Sequence, residues 1–187
     1  MSTRLFRSRR SLIVGLAAVG LVPLSGCMSK PLRPAEADGR YCHRLGKSYK
    51  PTLTCTPGLV PSAAEEAKAK RFSATPELLT VYVLRNRWSD TLATAVLAVD
   101  GIDRATTIPV SLVRITLKPG THQLSVRWDA GASDFSVNGT AGEVRFVELN
   151  GRGWAWDSGF SWRAVDAQDV RARALASKLV ADIELGR

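Results

Sequence analysis

The side chains of this 187-residue chain that could do chemistry are three cysteines, two histidines, a scatter of carboxylates and a tight group of tryptophans. Cys27 follows small Ser25 and Gly26, so its thiol is a nucleophile on a backbone that a peptidase could admit. Cys42, His43 and Cys55 offer three soft or borderline ligands, but their spacing matches no zinc pattern and no fourth ligand is evident. His122 stands in Pro119-Gly120-Thr121-His122, where a local hydrogen bond is the expected role, and His43 is expected as a solvated loop residue. Asp100, Asp103, Asp129, Asp134, Glu143, Glu148 and Asp157 could form a glycosidase-like pair, yet nothing in their spacing selects one. There is no His-Glu-x-x-His, no Gly-x-Ser-x-Gly elbow, no P-loop and no dinucleotide fingerprint. Ser158, between Asp157 and Gly159, reads as a turn residue without a base beside it. The expectation is a protein that is not an enzyme and carries no cofactor or metal. Trp154, Trp156 and Trp162, with Phe160 among them and Arg152 and Arg163 flanking, form the one candidate binding face. They could stack sugar rings, engage a protein or rest at a lipid interface. Alternatively they fill a core beneath a C-terminal helix.

The amino terminus carries Arg4, Arg7, Arg9 and Arg10 without an acid, then an apolar run from Leu12 to Leu24. A positive start, a short apolar stretch and small residues before a cut site make a secretory signal. The run is shorter than the roughly 20 residues that a membrane span needs. Leu24-Ser25-Gly26-Cys27 resembles the lipobox of bacterial lipoproteins at all four positions. That resemblance implies a diacylglycerol thioether on Cys27, cleavage between Gly26 and Cys27, and acylation (palmitate, for example) of the new amino terminus. Each buried methylene contributes about 0.8 kcal/mol, so several acyl chains hold firmly. Met28 is not the aspartate that retains enteric lipoproteins at the inner membrane, so the outer membrane, facing the periplasm, is the expected address.

With Cys27 assigned to lipid, Cys42 and Cys55 remain. Export places them in an oxidising compartment, and an even remainder implies one bridge. It would close a short loop and contribute about 3 kcal/mol on the chain-entropy model. The metal site of Cys42, His43 and Cys55 is the rival. The signal also holds four of the 26 basic residues and none of the 17 acids, which leaves the mature chain at +5. Its Lys and Arg are scattered rather than striped, which argues against nucleic acid as a partner.

The elements that must position these residues fall into three segments: a signal peptide over 1–26, a tether over 27–76 and a folded domain over 77–187. Residues 28 to 76 hold six of the nine prolines, as expected of a semi-extended tether. Within it, Ser62-Ala-Ala-Glu65 predicts a capping box that opens a short helix. From Leu78 the pattern turns to period two. Leu78–Arg85 is apolar on both faces, as in a central strand. Thr91–Val99 ends at an Asp100-Gly101 hairpin turn. Val113, Ile115 and Leu117 alternate with Arg114, Thr116 and Lys118, and Pro119-Gly120 predicts a type II turn into Leu124, Val126 and Trp128. Further strands are expected at Ser133–Val137, closed by Asn138-Gly139, and at Glu143–Leu149, closed by Asn150–Gly153. Two more, Trp154–Trp156 and Phe160–Arg163, would flank Asp157-Ser158-Gly159. Ala172, Leu175, Ala176, Leu179 and Ile183 predict an amphipathic helix from Ala167 to Leu185. The fold class is mainly β: a small antiparallel β-sandwich with a C-terminal helix.

From Leu78 to Arg163, about half the precursor, the chain resembles bacterial lipoproteins of unknown function that carry a small β-sandwich of PEGA-like or carbohydrate-binding-like type. The residues that carry the resemblance are Val81–Arg85, Val99-Asp100-Gly101, Leu117–Leu124 and Ala141-Gly142-Glu143. Val144-Arg145-Phe146 is less aromatic than that pattern. The resemblance implies a fold rather than a chemistry. Together these readings give a lipid-anchored envelope lipoprotein with a non-enzymatic binding or structural module, its partner an envelope protein or glycan. The alternative is an envelope hydrolase acting on glycan or peptidoglycan through surface carboxylates.

Overall fold

The computed structural model describes residues 38–47, 50–87, 89–154 and 157–186. The signal, Gly26, Cys27 and Trp156 lie outside the described residues. Among the described residues the chain is mainly β, with three sheets and two short helices.

β1 (Cys42–Lys47) and β2 (Lys50–Cys55) form a two-stranded hairpin. A five-stranded sheet follows the order β10 (Asp157–Val165), β9 (Val144–Trp154), β3 (Leu79–Arg85), β6 (Ser111–Leu117), β11 (Lys178–Glu184). A four-stranded sheet follows β5 (Ile102–Thr107), β4 (Ala95–Val99), β7 (Gly120–Trp128), β8 (Gly131–Gly139). The five-stranded sheet is mixed rather than antiparallel, since β3 runs parallel to β9 and β6 parallel to β11.

The two larger sheets share one apolar interior. Leu79, Val81 and Val83 of β3, Val113, Ile115 and Leu117 of β6, and Val147 and Leu149 of β9 meet Leu97, Val99, Leu124, Val126 and Val137 of the other sheet. The opposite face of the five-stranded sheet is apolar too. Tyr82, Leu84, Leu112 and Phe146 are covered by Ala69 at the end of α1 (Ala63–Ala69), by Phe72, and by Val170 and Ala174 of α2 (Ala167–Ala176). This is why β3 reads as apolar on both faces: every residue from Leu79 to Arg85 is buried. A strand covered on both sides loses the alternation of a half-wet strand.

β6 lies in the same covered sheet, so its expected wet face is largely absent. Thr116 is buried and the Arg114 side chain is only 13% exposed, where it donates to Asp182 of β11 at 2.7 Å. Pro119-Gly120 does not close a β6–β7 hairpin. It carries the chain from one sheet to the other, and β7 pairs with β4 and β8. Asp100-Gly101 is a hairpin turn as expected, with φ of 50° and 79°, the left-handed pair that a type I′ turn demands.

The expected C-terminal helix is corrected. It stops at Ala176, and Lys178–Glu184 forms β11 in parallel register with β6. Within the helix, the face expected to be buried (Ala172, Leu175 and Ala176) is exposed. Val170 and Ala174, one helical turn apart, are buried, while Leu175 is 47% exposed. Leu179 and Ile183 are strand residues on opposite sides of a register shift between Leu179 and Ala181. Without β11 the outer edge of β6 would be an unpaired ladder inside the fold. Pairing therefore wins over helical spacing in a segment whose Val180 and Ile183 suit a strand.

The capping box is present: Ser62 Oγ accepts from Glu65 N, and the Glu65 carboxylate accepts from Ser62 N at 2.8 Å. Glu66 fastens this helix to β11 by accepting from Leu179 N at 3.2 Å and pairing with Lys178, and it also pairs with Lys70 at the end of its own helix. The segment expected as a tether is thus tied to the folded body at Tyr41, Ala69 and Phe72, which are core residues.

Candidate functional site

The tryptophan face resolves into separate positions. Trp154 ends β9, opposite Asp157 at the start of β10. Trp162 faces inward from β10. Its ring stacks on Phe135 of β8 at 5.9 Å, and its Nε1 donates to the Ser133 carbonyl at 3.1 Å. A second pair, Trp128 and Phe160, meets edge to face at 5.3 Å along the same seam. β10 and β8 are the edge strands of the two sheets on this side, and these four rings close the gap between them. Trp162 is therefore a half-buried brick between sheets, neither an open stacking platform nor filler beneath a C-terminal helix. Period-two alternation places Phe160 and Trp162 on the inner face.

The most buried charge was not anticipated. Arg85, at the end of β3, is fully buried with Asp90, Nε donating to Oδ2 at 2.6 Å and Nη2 to Oδ1 at 3.0 Å. Nη1 also donates to the Thr107 carbonyl at 2.9 Å, and the guanidinium lies 4.7 Å from the centre of the Phe160 ring. Gly151 and Gly153 make room for this loop. A Cβ at Gly151 would lie 2.5 Å from Asp90 Oδ1, and one at Gly153 would lie 2.3 Å from Thr91 Oγ1. These glycines, expected as a turn, belong to β9 and serve close approach. Asn138-Gly139 and Ser158-Gly159 likewise lie within strands, β8 and β10. The signal for the buried pair was an arginine closing an otherwise apolar strand, with an acid a few residues on. Such a side chain needs a partner.

His122 and Asp100 border an open groove of about 540 Å³ with Gln123, Asp134, Phe135 and Ser136. His122 Nδ1 lies 2.7 Å from Asp100 Oδ2 and Nε2 lies 2.9 Å from the Lys118 carbonyl. Both partners are acceptors, so the imidazolium satisfies both at once. Burial disfavours that charge, but the Asp100 carboxylate and the Lys118 carbonyl outweigh it and raise the His122 pKa. Burial likewise acts to raise Asp100, and the hydrogen bonds from His122 and the Gln123 amide outweigh it and lower it. Neither ring nitrogen is left over for a substrate, so His122 is a clasp across the β4–β7 connections, close to its expected local role.

Three of the remaining acids are engaged by cations, and the Asp157 side chain lies outside the described residues. Asp103 pairs with Arg127, and Glu143 with Arg145 at 2.8 Å. Glu148, 3% exposed, pairs with Arg163 at 2.7 Å and with Arg173 of α2. Asp134 and Asp129 are exposed on the four-stranded sheet and its β7–β8 turn.

Cys42 and Cys55 are bonded to one another and face each other directly across β1 and β2. Their sulfurs are therefore spent, and the metal site with His43 loses two of its three ligands. No cluster of three or more His, Cys, Asp or Glu able to hold a metal occurs among the described residues. His43 is half-buried, and burial lowers its pKa. Among the described residues no helix is long and apolar enough to cross a membrane. No family model and no curated protein matches the chain.

Proposed function

We propose that this chain is a lipid-anchored lipoprotein of the bacterial cell envelope, whose β-domain is a non-enzymatic binding or structural module. The observation that carries the reading is the Cys42–Cys55 disulfide. Disulfides persist in exported compartments. This one uses two of the three cysteines and leaves Cys27, at the end of Leu24-Ser25-Gly26-Cys27, as the thiol for the lipid. In this reading residues 1–26 are the signal, cleavage falls between Gly26 and Cys27, and Met28, which is not the aspartate of inner-membrane retention, leaves the periplasmic face of the outer membrane as the address. Its partner is an envelope protein or a glycan. The domain is akin to PEGA-like sandwiches, as the strand and turn motifs suggest.

The alternative hydrolase needs one carboxyl kept protonated near another kept charged. Asp100, Asp103, Glu143 and Glu148 are each held by a cation instead, which favours binding or structure over catalysis. The test compares intact mass and membrane fractionation of the native protein with a Cys27→Ala variant. The expected result is a native chain that begins at acylated Cys27 and sediments with outer membrane, and a variant that is unprocessed or soluble. Identical behaviour of the two would remove the anchor and the localisation together.

A further inference from the structure

From Gly39 to Ala64 the chain carries Arg40, Arg44, Lys47 and Lys50 and no acidic residue. This stretch is the β1–β2 hairpin and the loop that returns from it. The base of the hairpin is fixed to the body. Tyr41 is a core residue, Thr56 N donates to the Tyr41 carbonyl at 2.9 Å, and Val60 N donates to the Gly39 carbonyl at 3.0 Å. Beyond the base, each strand has the other as its principal partner. Arg40 is held by Asp38 at 2.6 Å, and the other cations of the stretch are Arg44, Lys47 and Lys50. Arg44 is exposed opposite Leu53, and Lys47 pairs in register with Lys50 at the far end. Leu53, 56% exposed, and Leu59, 76% exposed, are the two most exposed large apolar side chains among the described residues.

This pattern works against the hairpin as an isolated object. Like charges directly opposite on paired strands are unfavourable. An isolated two-stranded hairpin is marginal in water, and exposed leucines add nothing to it. A disulfide makes it rigid all the same. The chain also limits what can lie close by. Eleven residue steps separate Cys27 from Asp38, which spans at most about 40 Å. A lipid on Cys27 thus keeps the base of the hairpin within that distance of a bilayer, which converts any weak affinity for its surface into an intramolecular contact.

Resting on the lipoprotein reading above, the geometry points to the stapled hairpin as a membrane-docking surface. The cations of the hairpin, Arg44 along it and Lys47 and Lys50 at its far end, would supply the attraction to phosphates of anionic phospholipids in the leaflet that holds the anchor, and exposed Leu53, on the same face as Arg44, and Leu59 would enter the boundary between headgroups and acyl chains. Juxtamembrane cations and apolar side chains are the two chemistries that such a surface rewards. Docking would fix the orientation of the two-sheet body above the membrane and direct its opposite end toward the periplasm.

The test uses the full processed protein in vesicles of neutral phosphatidylcholine, or of phosphatidylcholine mixed with anionic phosphatidylglycerol. Intact mass first establishes whether Cys27 carries lipid. Lysine acetylation is then followed residue by residue, with exposed Lys118 as the internal reference. Lys47 and Lys50 are expected to react about fivefold or more slowly on the anionic vesicles, with Lys118 unchanged, which is the effect of roughly one surface cation held at an anionic membrane. High salt and Arg44→Glu should each restore much of the rate, since the attraction is screened and charge-dependent. Equal rates on both vesicles with lipid present overturn the docking and leave the anchor standing. A Cys27 without lipid overturns both. Slowing in native outer membrane but in neither vesicle assigns the hairpin to a protein partner and overturns the lipid surface.

Discussion

The β1–β2 hairpin and the two-sheet body are stabilised by opposite means. The body has an apolar interior between its sheets and a second apolar layer beneath its helices. Its charges are either buried and paired, as Arg85 with Asp90, or paired at the surface, as Arg127 with Asp103. The hairpin has no interior of its own among its described residues beyond its base, carries basic residues and no acid, and relies on a covalent bond. Removing apolar surface from water is roughly proportional to area, and a two-stranded ribbon has too little area to remove. A crosslink that restricts the unfolded chain supplies what burial cannot.

Four outcomes would sharpen or break that contrast. Asp90→Ala should cost the body about 3–5 kcal/mol in denaturant unfolding, because it leaves Arg85 charged, buried and unpaired. A loss below about 1 kcal/mol would mean that the Thr107 and Leu92 carbonyls, which accept from Arg85 Nη1 and Nη2, suffice for the guanidinium. Leu124→Ala removes a fully buried side chain from the middle of the interior and should cost about 3 kcal/mol. Both losses should leave hairpin and body unfolding together.

Replacing Cys42 and Cys55 by serine is the direct probe of the hairpin. Hydrogen exchange should lose protection over residues 42–55 while β3, β6 and β9 keep theirs, with a global loss no greater than about 3 kcal/mol. A uniform loss of protection across the sheets would show that the hairpin is an integral part of the body.

The smallest effect concerns the His122–Asp100 clasp and depends on pH. His122 is raised above its ordinary value of 6.5, so its contribution is complete below that pH and is lost as pH rises through the folded value. Asp100 is lowered from its ordinary value of 3.8, so its contribution is complete above that pH and is lost as pH falls through the folded value. The pair should therefore stabilise most between those two values. With Asp100 about half exposed, the effect stays under about 1 kcal/mol. His122→Gln should flatten the pH dependence of stability in that range, and an unchanged profile would remove the clasp.

Much of the β pattern was legible because it depends on local geometry. The β3 strand, the Asp100-Gly101 turn and the Ser62–Glu65 box are each decided by a few adjacent side chains and a backbone angle. Glycines were misread where a neighbour from elsewhere in the chain decided their use. Gly151 and Gly153 have the composition of a turn but sit in β9 because Asp90 and Thr91 press against them. The tryptophan group was visible as a cluster, but its role turned on which strand edge faced β10, and that is a matter of topology.

The sequence by itself determined a β-rich domain, two partnered cysteines, the turn after β4 and the helix cap, because neighbouring residues hold enough information for each. Only the tertiary structure decided that Lys178–Glu184 is a strand, that Pro119-Gly120 changes sheets, that Arg85 is buried against Asp90 and that Trp162 spans the seam. Each of these depends on satisfying a backbone edge, a charge or a gap created by residues far away in the chain. A local period cannot encode what a distant segment leaves unpaired.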